Sequence, residues 1–180
     1  MSLKSAKILV TGLPGCGKTT AIMRILSNLN CESTAGFYTQ EVRKSGRRTG
    51  FTWNRLDGRE GILADVKVKG PPRVGKYGVN VRAFEESVVT VLTTERTDAK
   101  LFVIDEIGKM ECFSARFIEA VRKLFASDKS ILASVARKGP GLISEVKNYP
   151  NTQLFNLTTQ NRDRIIMEIS QILSFLKKGM

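Results

Sequence analysis

Residues 12–19 of this chain, GLPGCGKT, match the phosphate-binding pattern G-x-x-x-x-G-K-[ST] at every required position. An apolar, β-branched run at residues 7–11 precedes the pattern and predicts a buried strand, and apolar residues at helical spacing follow it as far as Leu29. A glycine-rich loop in this setting bends close to a ligand and directs backbone N–H groups and a helix N-terminus at phosphates. We therefore expect Lys18 to contact the β- and γ-phosphates of a nucleotide and the Thr19 hydroxyl to bind Mg²⁺.

The length predicts one domain over residues 1–180, and no apolar run is long enough for a membrane span or has the form of a signal peptide. The three cysteines, Cys16, Cys31 and Cys112, form no C-x-x-C pair, which favours a reducing, cytoplasmic location. The chain has no histidine, and this excludes Ser-His-Asp and Cys-His catalysis.

The chain is strongly basic, with 29 Lys and Arg against 17 Asp and Glu and a net charge of +12. Such an excess favours anionic partners, either nucleotides or nucleic acid. A solvated basic surface is the alternative, because charge runs alone are weak indicators of binding. The basic residues concentrate in one stretch: Arg43, Lys44, Arg47, Arg48, Arg55, Arg59, Lys67, Lys69, Arg73, Lys76 and Arg82.

The stretch after the first helix predicts an inserted antiparallel hairpin or meander at about residues 34–68. Its β-rich runs at 34–42 and 49–56 flank a turn at 44–47, and Asp57-Gly58 introduces a returning strand at 62–68. Gly70-Pro71-Pro72 then breaks the chain, a loop is predicted at 74–78, and apolar spacing predicts a helix from Val81 to about Thr97.

The remaining chain alternates predicted strands and helices, which indicates an α/β fold with a mainly parallel sheet. The predicted strands are 101–104, 130–135 and 153–157, and the predicted helices are 113–125, 142–148 and 165–176. Ser114 is expected to cap the first of these helices, and Thr159 or Asn161 the last.

An apolar strand ending in Asp105 has the form of a Walker B segment. Its carboxylate is expected to face the phosphate loop and to hold Mg²⁺ together with Thr19. The adjacent Glu106 can orient and deprotonate an attacking water, which favours hydrolysis over transfer to another acceptor; a structural ion pair is the alternative role. The chain lacks the Asn-Lys-x-Asp element that reads guanine, so we expect weak base selectivity.

Several ordered motifs are similar to those of the thermophilic nucleoside-triphosphatase family, which is related to the animal cancer-related nucleoside-triphosphatase. They are GLPGCGKTT (12–20), GFYTQEVR (36–43), GRRTGF (46–51), VGKY (74–77), DEIGKME (105–111) and Asn161-Arg162. The resemblance implies a RecA-related, three-layer P-loop NTPase fold and Mg²⁺-dependent hydrolysis of ATP, GTP, CTP, UTP and TTP to the diphosphate and phosphate. Gln160 and Cys112 depart from the family pattern, which has Glu and Leu there.

The resemblance also implies which residues act. Glu106 is expected to be the catalytic base, with Lys18 also catalytic and Thr19 and Asp105 binding the metal. The expected nucleotide-binding set is Gly12, Leu13, Pro14, Gly15, Cys16, Gly17, Lys18, Thr19, Thr20, Leu101, Phe102, Val103, Ile104, Asp105, Glu106, Ile107 and Gly108.

Other roles stay open at this point. Arg48, Lys109 and Arg162 are further candidates for phosphate or base contacts, each with a solvated surface role as its rival. Trp53 and Tyr77 can stack on a base or pack in the core. A nucleotide or small-molecule kinase and a nucleic-acid-stimulated ATPase are the alternative functions, although no nucleic-acid motif supports the second beyond charge. No obligate protein partner is indicated.

Overall fold

A computed structural model describes residues 5–93 and 98–178. The described residues form one sheet of nine strands with helices on both faces. The strands are β1 (Lys7–Gly12), β2 (Thr34–Lys44), β3 (Arg47–Arg55), β4 (Glu60–Asp65), β5 (Arg73–Val74), β6 (Tyr77–Val79), β7 (Leu101–Ile107), β8 (Ser130–Val135) and β9 (Thr152–Leu157). The α-helices are α1 (Lys18–Leu29), α2 (Val81–Ser87), α3 (Ala115–Ala126), α4 (Leu142–Lys147) and α5 (Arg162–Ile172), and short 3₁₀ helices cover Val89–Val91, Glu111–Phe113 and Leu173–Lys178.

The sheet has the strand order β5-β6-β4-β3-β2-β7-β8-β1-β9 and two distinct parts. From β2 through β7, β8 and β1 to β9 every pairing is parallel, whereas β3, β4, β6 and β5 extend the other edge in antiparallel pairs. Strand β2 belongs to both parts, because it pairs in parallel with β7 and antiparallel with β3. The predicted α/β fold, with a parallel core and an antiparallel addition, is confirmed.

Side chains alternate along the core strands between two apolar clusters, one on each face of the sheet. Leu101 and Val103 of β7 pack on the side of α1 and α5, whereas Phe102 and Ile104 pack on the side of α2, α3 and α4. This alternation is what a strand covered on both faces requires, and it produces the three layers.

At Gly36 the backbone of β2 turns so that any side chain would point into β7. The residue has φ +130°, and a Cβ added there would lie 1.9 Å from the carbonyl oxygen of Val103. Only glycine fits this backbone conformation next to the Val103 carbonyl. A glycine at this position therefore lets β2 pair with β7 along this register.

Two predicted segments differ from the structure. The predicted loop at 74–78 is a small hairpin of β5 and β6, which continues the antiparallel part to Val79. The helix predicted from Val81 to about Thr97 ends at Ser87, and a 3₁₀ turn follows, because the β-branched run at 88–91 is a poor α-helix former. Residues 94–97, the end of that prediction, lie outside the described residues.

The predicted helix caps are confirmed in part. Ser114 Oγ accepts a hydrogen bond from the Phe117 N–H at 2.9 Å and caps α3 as predicted. Asn161 occupies the N-cap position of α5, but its side chain accepts from the Thr158 N–H at 2.8 Å and so holds the preceding loop. The predicted C-terminal helix changes to a 3₁₀ helix at Leu173. Among the helices of the described ranges, none is long and apolar enough to span a membrane.

Candidate active site

The site lies where the carboxyl ends of β1, β8 and β7 meet. These strands are adjacent and parallel, with Leu9 level with Ala133 and Ala133 level with Ile104. The phosphate loop follows β1, and the Asp105-Glu106 pair lies near the carboxyl end of β7. The carboxyl edge of a parallel sheet is where such folds bind ligands.

The phosphate loop has the glycine conformations that its motif predicts. Gly15 and Gly17 adopt φ +77° and +94°, values that other residues rarely adopt. Gly17 is the N-cap of α1, and no side chain caps the helix there. The first-turn N–H groups of α1 are therefore available to an anion.

A cleft of about 820 Å³ opens above this loop. We call it the main cleft; it is lined by Gly12, Pro14, Gly15, Gly17, Lys18, Thr19, Thr20, Thr39, Gln40, Glu41, Arg48, Phe51, Glu106, Ala136 and Arg137. A second, side cleft of about 420 Å³ lies on the other side of the loop apex, lined by Leu13, Pro14, Gly15, Cys16, Arg137, Asn156, Leu157, Thr158, Thr159 and Gln160.

Lys18 folds back over the phosphate loop. Its Nζ donates to the carbonyl oxygens of Gly12 at 3.2 Å and Leu13 at 3.4 Å. Because both acceptors are neutral, these bonds position the ammonium group without cancelling its charge. That charge lowers the pKa of Asp105 and of Glu106, against the stronger opposite effect of burial on each carboxyl.

Asp105 is buried and fixed by two hydroxyl donors. Thr19 Oγ1 donates to its Oδ2 at 2.6 Å, and Ser134 Oγ donates to its Oδ1. Burial raises the pKa of Asp105, and the bonds from Ser134 and Thr19 oppose the rise. A hydroxyl and a carboxylate oxygen in contact are the ligand types that Mg²⁺ takes, so the pair predicted from the sequence fits that ion.

Glu106 is half-buried and lines the main cleft. Burial raises the pKa of its carboxyl, the charge of Lys18 lowers it, and the neighbouring Asp105 raises it further. A carboxyl with a raised pKa that faces a phosphate site has the position and basicity of a general base.

A third carboxyl, Glu111, was assigned no role from the sequence. It is 5 % exposed and begins the 3₁₀ helix after β7. A Cβ added at Gly108 would lie 2.9 Å from Glu111 Oε2 and 3.1 Å from Glu106 Oε1, so the two side chains converge there. Burial, and then the charge of Glu106, raise the pKa of Glu111 to about 8. Its place in DEIGKME is the only sequence signal, because burial is not visible in a motif.

The antiparallel part of the sheet supplies the opposite wall of the main cleft. Arg48 donates from Nη1 to Glu41 Oε1 at 2.8 Å and from Nε to the Tyr77 hydroxyl at 3.1 Å. Its guanidinium also lies 5.2 Å from the ring centre of Phe51. Arg48 is thus held at the cleft, as one sequence alternative required, and Glu41 and Phe51 are lining residues that the sequence reasoning missed.

The other sequence candidates lie outside the main cleft. Lys109 is exposed on the turn after β7. Arg162 packs behind the phosphate loop, where its Nη1 would lie 2.8 Å from a Cβ at Gly17. Its buried Nε has no hydrogen-bond partner among the described residues. Trp53 and Tyr77 are buried packing residues, the second alternative given for each.

The apolar part of the predicted Walker B segment does not line the main cleft. Leu101, Phe102, Val103, Ile104 and Ile107 are fully buried, and Gly108 is buried beneath the two glutamates. This part of β7 therefore positions Asp105 and Glu106 at the edge of the sheet.

Comparison with known proteins agrees with this geometry. A family model described as NTPase matches residues 7–170. The nucleoside-triphosphatase THEP1 of Thermotoga petrophila is 42 % identical over 169 residues, which cover 94 % of this chain and 93 % of that protein. The human cancer-related nucleoside-triphosphatase is 37 % identical over 90 % of this chain and 93 % of its own length.

Solved structures show the same fold. The crystal structure of THEP1 from the hyperthermophile Aquifex aeolicus matches with a TM-score of 0.85 and 36 % identity, over 93 % of this chain and 98 % of that one. The solution structure of the human cancer-related enzyme gives a TM-score of 0.78, also at 36 % identity, over 95 % of this chain and 98 % of that one. The chain therefore belongs to the family of nucleoside-triphosphatases that includes THEP1 and the human cancer-related enzyme.

Proposed function

We propose that this protein hydrolyses nucleoside triphosphates to the diphosphate and phosphate, with Mg²⁺ and with weak base selectivity. The observation that carries the proposal is the placement of Glu106 in the same cleft as the phosphate loop, next to the Thr19–Asp105 pair. A phosphate site, a pair of metal-type oxygen ligands and a general base are the parts that γ-phosphate hydrolysis needs.

In this mechanism, residues 12–20 bind the phosphates through loop amides, the first turn of α1 and Lys18. Thr19 and Asp105 would hold the Mg²⁺, and Ser134 keeps the Asp105 carboxylate oriented. When bound, the ion would supply positive charge that stabilises the phosphate groups during the reaction.

Glu106 then takes a proton from the attacking water. The water oxygen forms a bond to the γ-phosphorus, the bond from that phosphorus to the bridging oxygen breaks, and the diphosphate leaves with the bridging electron pair. Burial raises the pKa of Glu106 and so makes its carboxylate a stronger base than an exposed glutamate.

Arg48 acts on the other side of the γ-phosphate in this proposal. Glu41 and the Tyr77 hydroxyl fix the direction of its guanidinium, and the aromatic ring of Phe51 supports it. A planar guanidinium is suited to the spread charge of a phosphoryl group in its transition state. The hairpin thereby contributes to turnover more than to binding.

The lining of the side cleft supports the proposal of weak base selectivity. It adjoins the phosphate loop apex at Pro14 and Gly15, so the nucleoside extends into it when the phosphates occupy the loop. None of the described residues that line it is acidic, and an acidic side chain is what would accept hydrogen bonds from guanine. ATP, GTP, CTP, UTP and TTP are therefore all proposed as substrates.

The test is phosphate release from these five nucleotides with Mg²⁺, for wild type and for Glu106→Gln. We expect wild type to release phosphate from all five and the variant to lose at least about a hundredfold in kcat while it still binds nucleotide. Glu119→Gln is the matched control, because Glu119 is exposed on α3 and pairs with Lys123. Release that requires an added acceptor or nucleic acid, or full activity of Glu106→Gln, would refute the proposal.

A further inference from the structure

Arg137 lies where the main cleft and the side cleft meet. It follows β8 in the loop that leads to α4, and it lines both clefts. Pro14 and Gly15, at the apex of the phosphate loop, are the other residues common to both. Arg137 and the loop apex therefore form the boundary that a ligand must cross to occupy both clefts.

The backbone of Arg137 is fixed although its side chain is exposed. Lys147 Nζ, from α4, donates to the carbonyl oxygens of Ala136 at 2.6 Å and Arg137 at 2.7 Å. The Ala136 N–H in turn donates to the Ile107 carbonyl oxygen at 3.1 Å, which joins this loop to the end of β7. These bonds fix the position of the Arg137 Cα relative to the end of β7, which carries Asp105 and Glu106.

The guanidinium of Arg137 has no hydrogen-bond or ion-pair partner within residues 5–93 and 98–178. Arg48, on the opposite wall, differs because Glu41 already neutralises part of its charge. A fixed arginine that lines a cleft and has an uncompensated charge is a binding group for an anion, since its planar fork matches phosphate oxygens.

The positions of the two clefts indicate which phosphate groups Arg137 contacts. Glu106 and Arg48 line the main cleft, so the γ-phosphate belongs there, and the nucleoside belongs in the side cleft. The part of a nucleotide between these two ends is the α- and β-phosphates. We propose that Arg137 binds the α,β-diphosphate portion, which is also the leaving group; this inference rests on the proposed function.

Arg137 in this position contacts the product as well as the substrate. A nucleoside diphosphate retains the α- and β-phosphates, so it keeps the contact with Arg137 after the γ-phosphate has left. Loss of the guanidinium should therefore weaken the binding of the triphosphate and of the diphosphate by similar factors. An arginine that bound the γ-phosphate alone would affect the triphosphate only.

The experiment measures binding of ADP and of the β,γ-imido analogue of ATP, each with Mg²⁺, by isothermal titration calorimetry. We expect Arg137→Ala to lower the affinity for both ligands about ten- to a hundredfold, the range for one charge-assisted hydrogen bond or a pair of them. Arg137→Lys should recover part of the loss. Lys138→Ala is the control, because Lys138 is an exposed cation in the same loop that lines neither cleft.

Each other outcome overturns a defined part of this scheme. Equal affinities in Arg137→Ala and Lys138→Ala would remove Arg137 from the site, and a loss confined to the ATP analogue would place it at the γ-phosphate instead. Wild-type protein that bound neither ligand would refute the proposed function itself, and the inference with it. Thermal unfolding of each variant shows whether a loss of binding reflects a loss of fold.

Discussion

Replacing Glu111 by glutamine should stabilise the protein, and more so as the pH rises. The carboxyl is buried under the active site, close to Glu106, and its pKa is raised from an ordinary value of 4.5 to about 8. The folded protein therefore keeps the Glu111 proton over a pH range in which the unfolded chain releases it. By linkage, the free energy of unfolding falls as the pH rises from about 4.5 to about 8 and is level above that.

The magnitude follows from the two pKa values. Between pH 5.5 and pH 7.5 this group alone lowers the free energy of unfolding by about 2.5 kcal/mol, at 1.36 kcal/mol for each unit of differential titration. Glutamine has nearly the same shape and does not ionise, so the variant lacks this loss.

The assay is urea unfolding of wild type and Glu111→Gln at several pH values from 5.5 to 8.5. The stability difference between the two proteins should grow in favour of the variant by about 2.5 kcal/mol from pH 5.5 to pH 7.5. Glu119→Gln, a change in an exposed glutamate whose pKa is lowered by Lys123, should show no such growth. Parallel stability curves for wild type and Glu111→Gln would refute the reasoning.

Three further changes test the fold and the site. Gly36→Ala should cost more than about 3 kcal/mol in urea unfolding, because its Cβ would meet the carbonyl of β7; Gly46→Ala, at φ +74° with nothing within 4 Å, should cost only about 1 kcal/mol. Ser134→Ala should raise the Mg²⁺ concentration for half-maximal hydrolysis about tenfold, since it removes a donor that orients Asp105; an unchanged Mg²⁺ dependence would contradict that role. Arg48→Ala should lower kcat about tenfold or more with little change in KM, and equal kinetics would show that its charge is not used.

Local sequence patterns predicted the parts of the fold that depend on local chemistry. Strand β8 has the predicted bounds, because a short run of apolar and small residues is typical of a strand buried on both faces. The phosphate loop and the placement of Thr19 and Asp105 at one site were also predicted, since both follow from a motif with a fixed setting; their direct hydrogen bond was not. The hairpin of β5 and β6 was missed because its strands, of two and three residues, are too short to show alternation.

The remaining site residues depend on tertiary contacts that no local pattern encodes. Arg137 lies in a loop of ordinary composition and becomes a candidate only because Lys147 fixes its backbone beside the phosphate loop. Arg48 was a sequence candidate together with Lys109 and Arg162, and the structure places it in the main cleft through its bonds to Glu41 and Tyr77. The basic composition pointed to the segment that lines the cleft, and tertiary contacts show that Arg48 is the basic residue of that segment at the site.

The carboxyls of the site lie deeper than its cations. Asp105 and Glu111 are buried behind the phosphate loop with Glu106 half-buried beside them, and burial raises the pKa of each carboxyl. Lys18 and two arginines line the cleft itself, so an approaching triphosphate meets positive charge first. Once the phosphates have compensated those cations, the Asp105 and Glu106 carboxylates leave an excess of negative charge beside the phosphates, whereas Glu111 keeps its proton. A divalent cation at the Thr19–Asp105 pair is the group that balances this excess, which is why we expect nucleotide affinity to depend on Mg²⁺ more steeply in wild type than in Asp105→Asn.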